Sequence, residues 1–219
     1  MRLTVTAGKG GVGKTTVAYN LAAELDAVAV DADLGMADLP SARGPDLHDV
    51  LAGRASAVEA VREGGPVALL PCGRSLAGVR AADPAALVEA VRAVEREYGR
   101  VVVDAPAGMH SDAGVALLAA EAALLVTRPT RAALAGAVRT RELARALDTP
   151  LAQVVLNRAD QLGSRDRLAS TLGAPVTVLP ESDRLATAQR TGQPVAALAP
   201  DSSASERFET LACAVERAV

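Results

Sequence analysis

Seven short, nearly continuous apolar runs recur along this chain, and each reads as a β-strand. They are RLTVTA (2–7), AVAVDA (27–32), VALLP (67–71), RVVVDA (100–105), ALLVT (123–127), AQVVLN (152–157) and VTVLP (176–180). A strand with one face in water alternates apolar and polar residues, whereas a run that is apolar throughout belongs to a strand covered on both sides. Between these runs, apolar residues recur at helical spacing over 14–25, 84–98, 130–147 and 182–191. Alternation of doubly covered strands with helices predicts an α/β fold in three layers, a mostly parallel central sheet with helices on both faces.

Local signals place some of the helix ends. Asp83 is expected to cap a helix with Pro84 in its first position, and SASE (203–206) reads as a capping box of Ser203 and Glu206 ahead of a last helix. The stretch 40–66 is the most irregular and is expected to carry short helices on the rim. There is no internal repeat and no linker, so all 219 residues are expected to form one domain. Half the residues are apolar, the formal net charge is −3 and the aromatics are only Tyr19, Tyr98 and Phe208. That composition argues against general polyanion binding and removes the stacking side chains used on single-stranded nucleic acid. Cys72 and Cys213 have no metal-ligand spacing and read as two buried or half-buried thiols in a reducing compartment. With no apolar run near the ~18 residues of a membrane span and no leader before the first strand, a cytoplasmic location is expected.

The first strand runs directly into AGKGGVGKTT (7–16), which contains both lysines of the chain; the other 21 basic side chains are arginine. Gly8, Gly13, Lys14 and Thr15 satisfy G-x-x-x-x-G-K-[ST] between a strand and a helix, the context in which that pattern cradles phosphate. Glycines let successive amides turn toward one anion, and the following helix adds its positive end. Lys14 would serve the β- and γ-phosphates, Thr15 would offer a hydroxyl to Mg²⁺, and Thr16 would lie near the α-phosphate. The planar fork of arginine would not fit so tight a loop. Lys9 has no such explanation, because an ordinary loop of this kind does not need it.

Two more strand ends carry carboxylates. Asp31 and Asp33, spaced i, i+2, end the second run where both can face the crevice at the carboxyl ends of the strands. Asp104 ends VVVD, the arrangement that holds a Mg²⁺-bound water. His110 and Asp112 follow closely without an assigned role.

KGGVGKTT resembles the deviant Walker A motif of the MinD/ParA class of P-loop ATPases. LHDVLAG (47–53), ALLPCGRSLAG (68–78), VVVDAPAG (101–108) and LPESDRLATAQRTGQPV (179–195) extend the resemblance in family order, nearest to the MinD branch. The resemblance implies ATP and Mg²⁺ as ligands, with the loop Gly8, Lys9, Gly10, Gly11, Val12, Gly13, Lys14, Thr15 and Thr16 around the phosphates. It implies that Lys9 crosses a dimer interface to the nucleotide of the other subunit. It makes Lys9, Lys14 and Asp33 catalytic, Asp33 orienting the attacking water or the Mg²⁺ shell with Asp31 in support. Thr15, Asp33 and Asp104 become the metal set, and the Gly108 amide a γ-phosphate sensor. Asn157, Pro180 and Glu181 resemble the segments around the adenine. The paired cysteines of iron–sulfur carriers related to this family are missing.

The implied function is slow, Mg²⁺-dependent ATP hydrolysis used as a dimerisation switch that positions cellular machinery, at division or at a polar organelle. An ATP-dependent homodimer and an activating or cargo protein follow as expected partners. Two other readings stand beside it: a ParA-like DNA-binding partition ATPase, and a metabolic ligase of the dethiobiotin synthetase kind. DNA is not favoured, because the arginines at 128, 131, 139, 141 and 145 read first as a solvated helix face. The tail SERFETLACAVERAV carries three Glu against two Arg, so Phe208, Leu211, Ala212, Val215 and Val219 are expected to pack on the domain and not to form a basic membrane helix.

Overall fold

The computed structural model describes residues 1–34, 39, 44–159 and 165–219. All seven expected strands form: β1 (Arg2–Thr6), β2 (Val28–Asp31), β3 (Leu69–Leu70), β4 (Val101–Asp104), β5 (Ala122–Thr127), β6 (Leu151–Asn157) and β7 (Val176–Leu179). They make one sheet in the order β3-β2-β4-β1-β5-β6-β7, and every pairing between named strands is parallel. The apolar runs are explained by cover on both sides. In β4, Val102 packs into the core on one face while Val101 and Val103 enter the core on the other, all fully buried. In β5, Leu124 and Val126 share the side of Val102, with Ala123 and Leu125 opposite.

The helices are α1 (Lys14–Glu24), α2 (Leu47–Leu51), α3 (Leu76–Ala81), α4 (Leu87–Tyr98), α5 (Ser111–Leu118), α6 (Arg131–Ala146), α7 (Arg165–Leu172), α8 (Asp183–Arg190), α9 (Val195–Leu198) and α10 (Ser203–Glu216). One layer holds α1 and α10, whose Val17, Leu21, Phe208 and Leu211 close on β1 and β5. The opposite layer puts α2, α4 and α5 over β2 and β4, and α6 and α7 over β5, β6 and β7.

Some boundaries differ from expectation for local reasons. Asp83 caps as expected, accepting from the Ala85 amide at 3.0 Å, but the segment opens as a 3-10 turn (Pro84–Ala86) before α4. The cap of α10 is Ser202, not Ser203: its extended backbone lets its hydroxyl accept from the Ser205 amide at 3.3 Å, which makes Ser203 the first helical residue. The third strand shrinks from five expected residues to two, and an antiparallel bridge from Arg62 to Leu69 pairs it further. The expected rim helices of 40–66 are represented by α2; residues 40–43, like 35–38 of the aspartate segment, lie outside the described residues.

The tail packs inward. Phe208, Leu211, Ala212 and Val215 are buried, Arg207 donates to the Val178 carbonyl and Glu216 pairs with Arg100 at 3.0 Å. Val219 is exposed, because the helix ends at Glu216 and no longer holds it on the apolar face. Cys72 is buried as expected, whereas Cys213 is exposed on α10. Among the described residues no helix is long and apolar enough to cross a membrane.

Candidate nucleotide site

The loop between β1 and α1 sits where β1, at the middle of the sheet, delivers its carboxyl end beside those of β4 and β5. Gly11 and Gly13 take left-handed backbones, φ 74° and 96°, which side chains with a Cβ resist. Gly13 also forms the N-terminal boundary of α1 without any side-chain cap, so the first amides of the helix are not spent on a side chain. Gly8 has a different reason to be glycine. Its backbone lies directly against the backbone of Gly136 in α6, and a Cβ on Gly136 would come within 2.8 Å of the Gly8 carbonyl oxygen.

The two lysines are in contrasting situations. Lys14 is 7% exposed and its ammonium donates to Asp104 Oδ1 at 2.6 Å. Lys9 is exposed and makes no hydrogen bond or ion pair among the described residues. Both line one open cleft of about 680 Å³, together with Gly10, Gly11, Gly13, Thr15, Thr16 and Asp33. Pro106, Ala107, His110, Asp112, Arg158 and Gln189 complete its wall. Val12, by contrast, is buried and turns its side chain into the core.

Three carboxylates approach this cleft. Asp104 is 1% exposed; burial pushes its carboxyl up, while the Lys14 ammonium and a hydrogen bond from Thr15 pull it back. Its second oxygen, Oδ2, is buried and has no partner among the described residues. Asp31 is fully buried and sits in register beside Asp104. Burial, and then the Asp104 charge, push it from the ordinary 3.8 to about 7, against hydrogen bonds from the Leu39 and Asp33 amides at 3.3 Å. Asp33 is half-buried on the cleft wall.

These groups fit a Mg²⁺–nucleotide. An unpartnered carboxylate oxygen in a dry site, a hydroxyl beside it and a second carboxylate on the same wall are the oxygen donors that a hard cation takes. The amides at the head of α1 and an uncommitted ammonium suit the phosphates.

The expected adenine residues converge on a second cleft, where Asn157, Pro180 and Glu181 meet Gly13, Thr16 and Gln189. The Asn157 side chain is largely spent on the protein. Its Nδ2 donates to the Val12 carbonyl at 2.8 Å and its Oδ1 accepts from the Arg158 amide at 3.0 Å. A Cβ at Gly13 would overlap that amide, so Asn157 braces the loop from behind. The Gly108 amide, expected to face a phosphate, donates to the Ala7 carbonyl at 2.8 Å.

Sequence reasoning passed over the part of four residues here. Arg158 and Gln189 line both clefts, and Arg158 has a left-handed backbone, φ 53°. Gly136 interrupts an alanine- and arginine-rich helix, and that interruption is the one signal of its close contact. Behind Asp33, Cys72 donates its thiol to the Asp33 carbonyl at 3.3 Å, and burial pushes that thiol up, keeping it protonated. Of the arginine cluster, Arg131, Arg139 and Arg145 are exposed, and Arg141 is paired with Glu142.

Comparison with known proteins bears on the same site. Residues 3–195 match the CobQ/CobB/MinD/ParA nucleotide binding domain. An uncharacterized ATP-binding protein of Methanocaldococcus jannaschii is 33% identical over 228 residues, which covers 97% of this chain and 86% of that protein. The cell division ATPase MinD of Pyrococcus furiosus superposes with a TM-score of 0.91 at 30% identity, covering 100% of this chain and 99% of the other. The septum site-determining protein MinD of Pyrococcus horikoshii, solved as a complex with Mg-ADP, superposes with a TM-score of 0.87 at 30% identity, covering 96% and 93%.

Proposed function

This chain belongs to the CobQ/CobB/MinD/ParA nucleotide-binding family, and on that premise we propose that its 219 residues act as one ATPase domain that dimerises on ATP. The cycle is binding of ATP with Mg²⁺, pairing of two copies across their phosphate clefts, slow hydrolysis and separation. Such a switch positions other cellular machinery and produces no metabolite. An activating or cargo protein would read the dimer.

One observation carries this reading. Of the two ammonium groups beside the cleft, Lys14 is held by Asp104 and Lys9 is held by nothing among the described residues. A mobile cation at the mouth of an anion site can reach a phosphate brought by a second copy. The resident Lys14 would turn from Asp104 toward the β- and γ-phosphates, and the α1 amides would hold the phosphate chain. Thr15, Asp33 and Asp104 would hold Mg²⁺, which neutralises charge on the phosphate oxygens. Asp33 would orient the water that attacks the γ-phosphorus as the bond to ADP breaks. Pro180 and Glu181 would flank the base, and Asn157 would support the loop. The Mg-ADP complex of the P. horikoshii relative supports the choice of ligand.

The test is to size wild type and Lys9→Ala with ATP·Mg²⁺ and with ADP·Mg²⁺ by light scattering, alongside phosphate release. Wild type is expected to dimerise with ATP alone and Lys9→Ala to stay monomeric and inactive while still binding nucleotide. A monomeric wild type, or a Lys9→Ala chain that pairs and hydrolyses normally, overturns the switch.

A further inference from the structure

Behind the wall of the cleft lies a pair of buried polar side chains that no step above uses. His48 in α2 is 2% exposed and Cys72, just past β3, is fully buried in a core that includes Leu34, Leu47, Leu51 and Leu70. His48 Nε2 lies 3.2 Å from the Leu34 carbonyl and 3.5 Å from Cys72 Sγ, and the Cys72 thiol donates to the Asp33 carbonyl. A carbonyl only accepts, so Nε2 carries a proton; Nδ1 is buried and has no partner among the described residues.

A buried imidazole with one nitrogen unpaired costs stability that a leucine would not. Its presence is accounted for by what the other nitrogen holds. The base that carries both donors is itself stitched together: the amides of Leu47 and His48 donate to the carbonyls of Pro71 and Cys72 at 2.8 and 3.2 Å. The ring is confined from behind, since a Cβ on Gly73 or Gly78 would come within 2.7 or 2.8 Å of Nδ1. From the other side, the Asp31 carboxyl accepts from the Asp33 amide. The main chain of residues 33 and 34 is thus gripped at the Asp33 amide and at two successive carbonyls, and the Leu34 side chain is sunk in the same core.

We propose that Cys72 and His48 are positioning residues, whose hydrogen bonds to the Asp33 and Leu34 carbonyls set where the Asp33 carboxylate meets a Mg²⁺–nucleotide. This rests on the role given to Asp33 above. It assigns the β3 exit and α2, far along the chain from the phosphate loop, to the same site.

Two readouts separate the bonds from mere packing. Cys72→Ala and His48→Phe remove the donors, while Cys72→Ser and His48→Gln keep one at the same place. In the nucleotide-free chain, amide hydrogen exchange over residues 31–34 is expected to quicken roughly tenfold in the first pair and to stay near wild type in the second. The Mg²⁺ concentration that half-restores binding of fluorescent ADP is expected to rise roughly tenfold in the first pair only, with Mg²⁺-free ADP affinity unchanged. Folded Cys72→Ala and His48→Phe chains with wild-type exchange and Mg²⁺ dependence overturn the inference, as does an equal defect in the donor-keeping variants. A wild-type chain that binds no ADP overturns the nucleotide function and the positioning claim together; the exchange measurement still decides separately whether the two bonds hold the main chain.

Discussion

Replacing Asp31 by asparagine should stabilise the nucleotide-free chain at alkaline pH and destabilise it in acid. The carboxyl is fully buried, and burial together with the Asp104 charge raises it from 3.8 to about 7. Between those values the folded chain keeps a proton that the unfolded chain has released. The folded state then binds more protons, so unfolding free energy falls as pH rises through this window and is fully reduced above about pH 7. A gap of roughly three pH units at 1.36 kcal/mol each gives a penalty of about 4 kcal/mol, of which about 3 kcal/mol develops between about pH 5 and pH 8.5. Asparagine carries no charge and escapes it. Its amide replaces an acceptor that now serves either the Leu39 or the Asp33 N–H, and the lost bond costs about 1–2 kcal/mol at every pH. The sum is a gain of about 2–3 kcal/mol near pH 8.5 that vanishes or reverses near pH 5. Urea unfolding of both chains in EDTA across this range measures it. A difference between variant and wild type that does not move with pH would refute the reasoning.

Further substitutions probe the parts around it. Lys14→Met strands Asp104 in the core and should cost about 3–5 kcal/mol at neutral pH by urea unfolding, most of it recovered in Lys14→Met/Asp104→Asn. Gly136→Ala pushes a methyl toward the Gly8 carbonyl and should cost about 1–3 kcal/mol and weaken ADP binding in a fluorescence titration. Gly114→Ala in α5, where the nearest atom is Leu147 Cδ1 at 3.7 Å, should be neutral or stabilising by up to about 1 kcal/mol in the same melts. Asn157→Ala leaves the Val12 carbonyl unpaired, which should cost about 1–3 kcal/mol and lower nucleotide affinity in the same titration.

What could be read from the chain depended on how local each cause was. Strands β4 and β5 were legible because burial on both faces makes nearly the whole run apolar, and that needs no knowledge of neighbours. The phosphate loop was legible because its glycines, lysine and threonine are consecutive and each answers to the same anion. Asn157 was found as a strand end, but its service to Val12 was not, since nothing local to residue 157 names a partner far back in the chain. Gly136 and Gly8 meet only once α6 has folded over β5, so a lone helical glycine reads beforehand as a propensity cost. Ser202 displaced Ser203 as a cap because neighbouring serines offer the same hydroxyl and only backbone geometry chooses between them. Cys72 read as an ordinary buried thiol and His48 drew no reading of its own, because two hydrogen bonds to main-chain carbonyls leave no trace in residue type.

The contrast between an exposed Lys9 and a buried Lys14 has a practical corollary. Acylating reagents that seek side-chain amines have two targets on this protein, and only one stands open to water. Of the two lysines, a succinimidyl fluorophore or a biotin ester should therefore mark residue 9 and spare residue 14, without any engineered cysteine. The label would arrive at the rim of the phosphate cleft and remove the Lys9 charge, so the labelled chain is expected to bind nucleotide without pairing, as Lys9→Ala does.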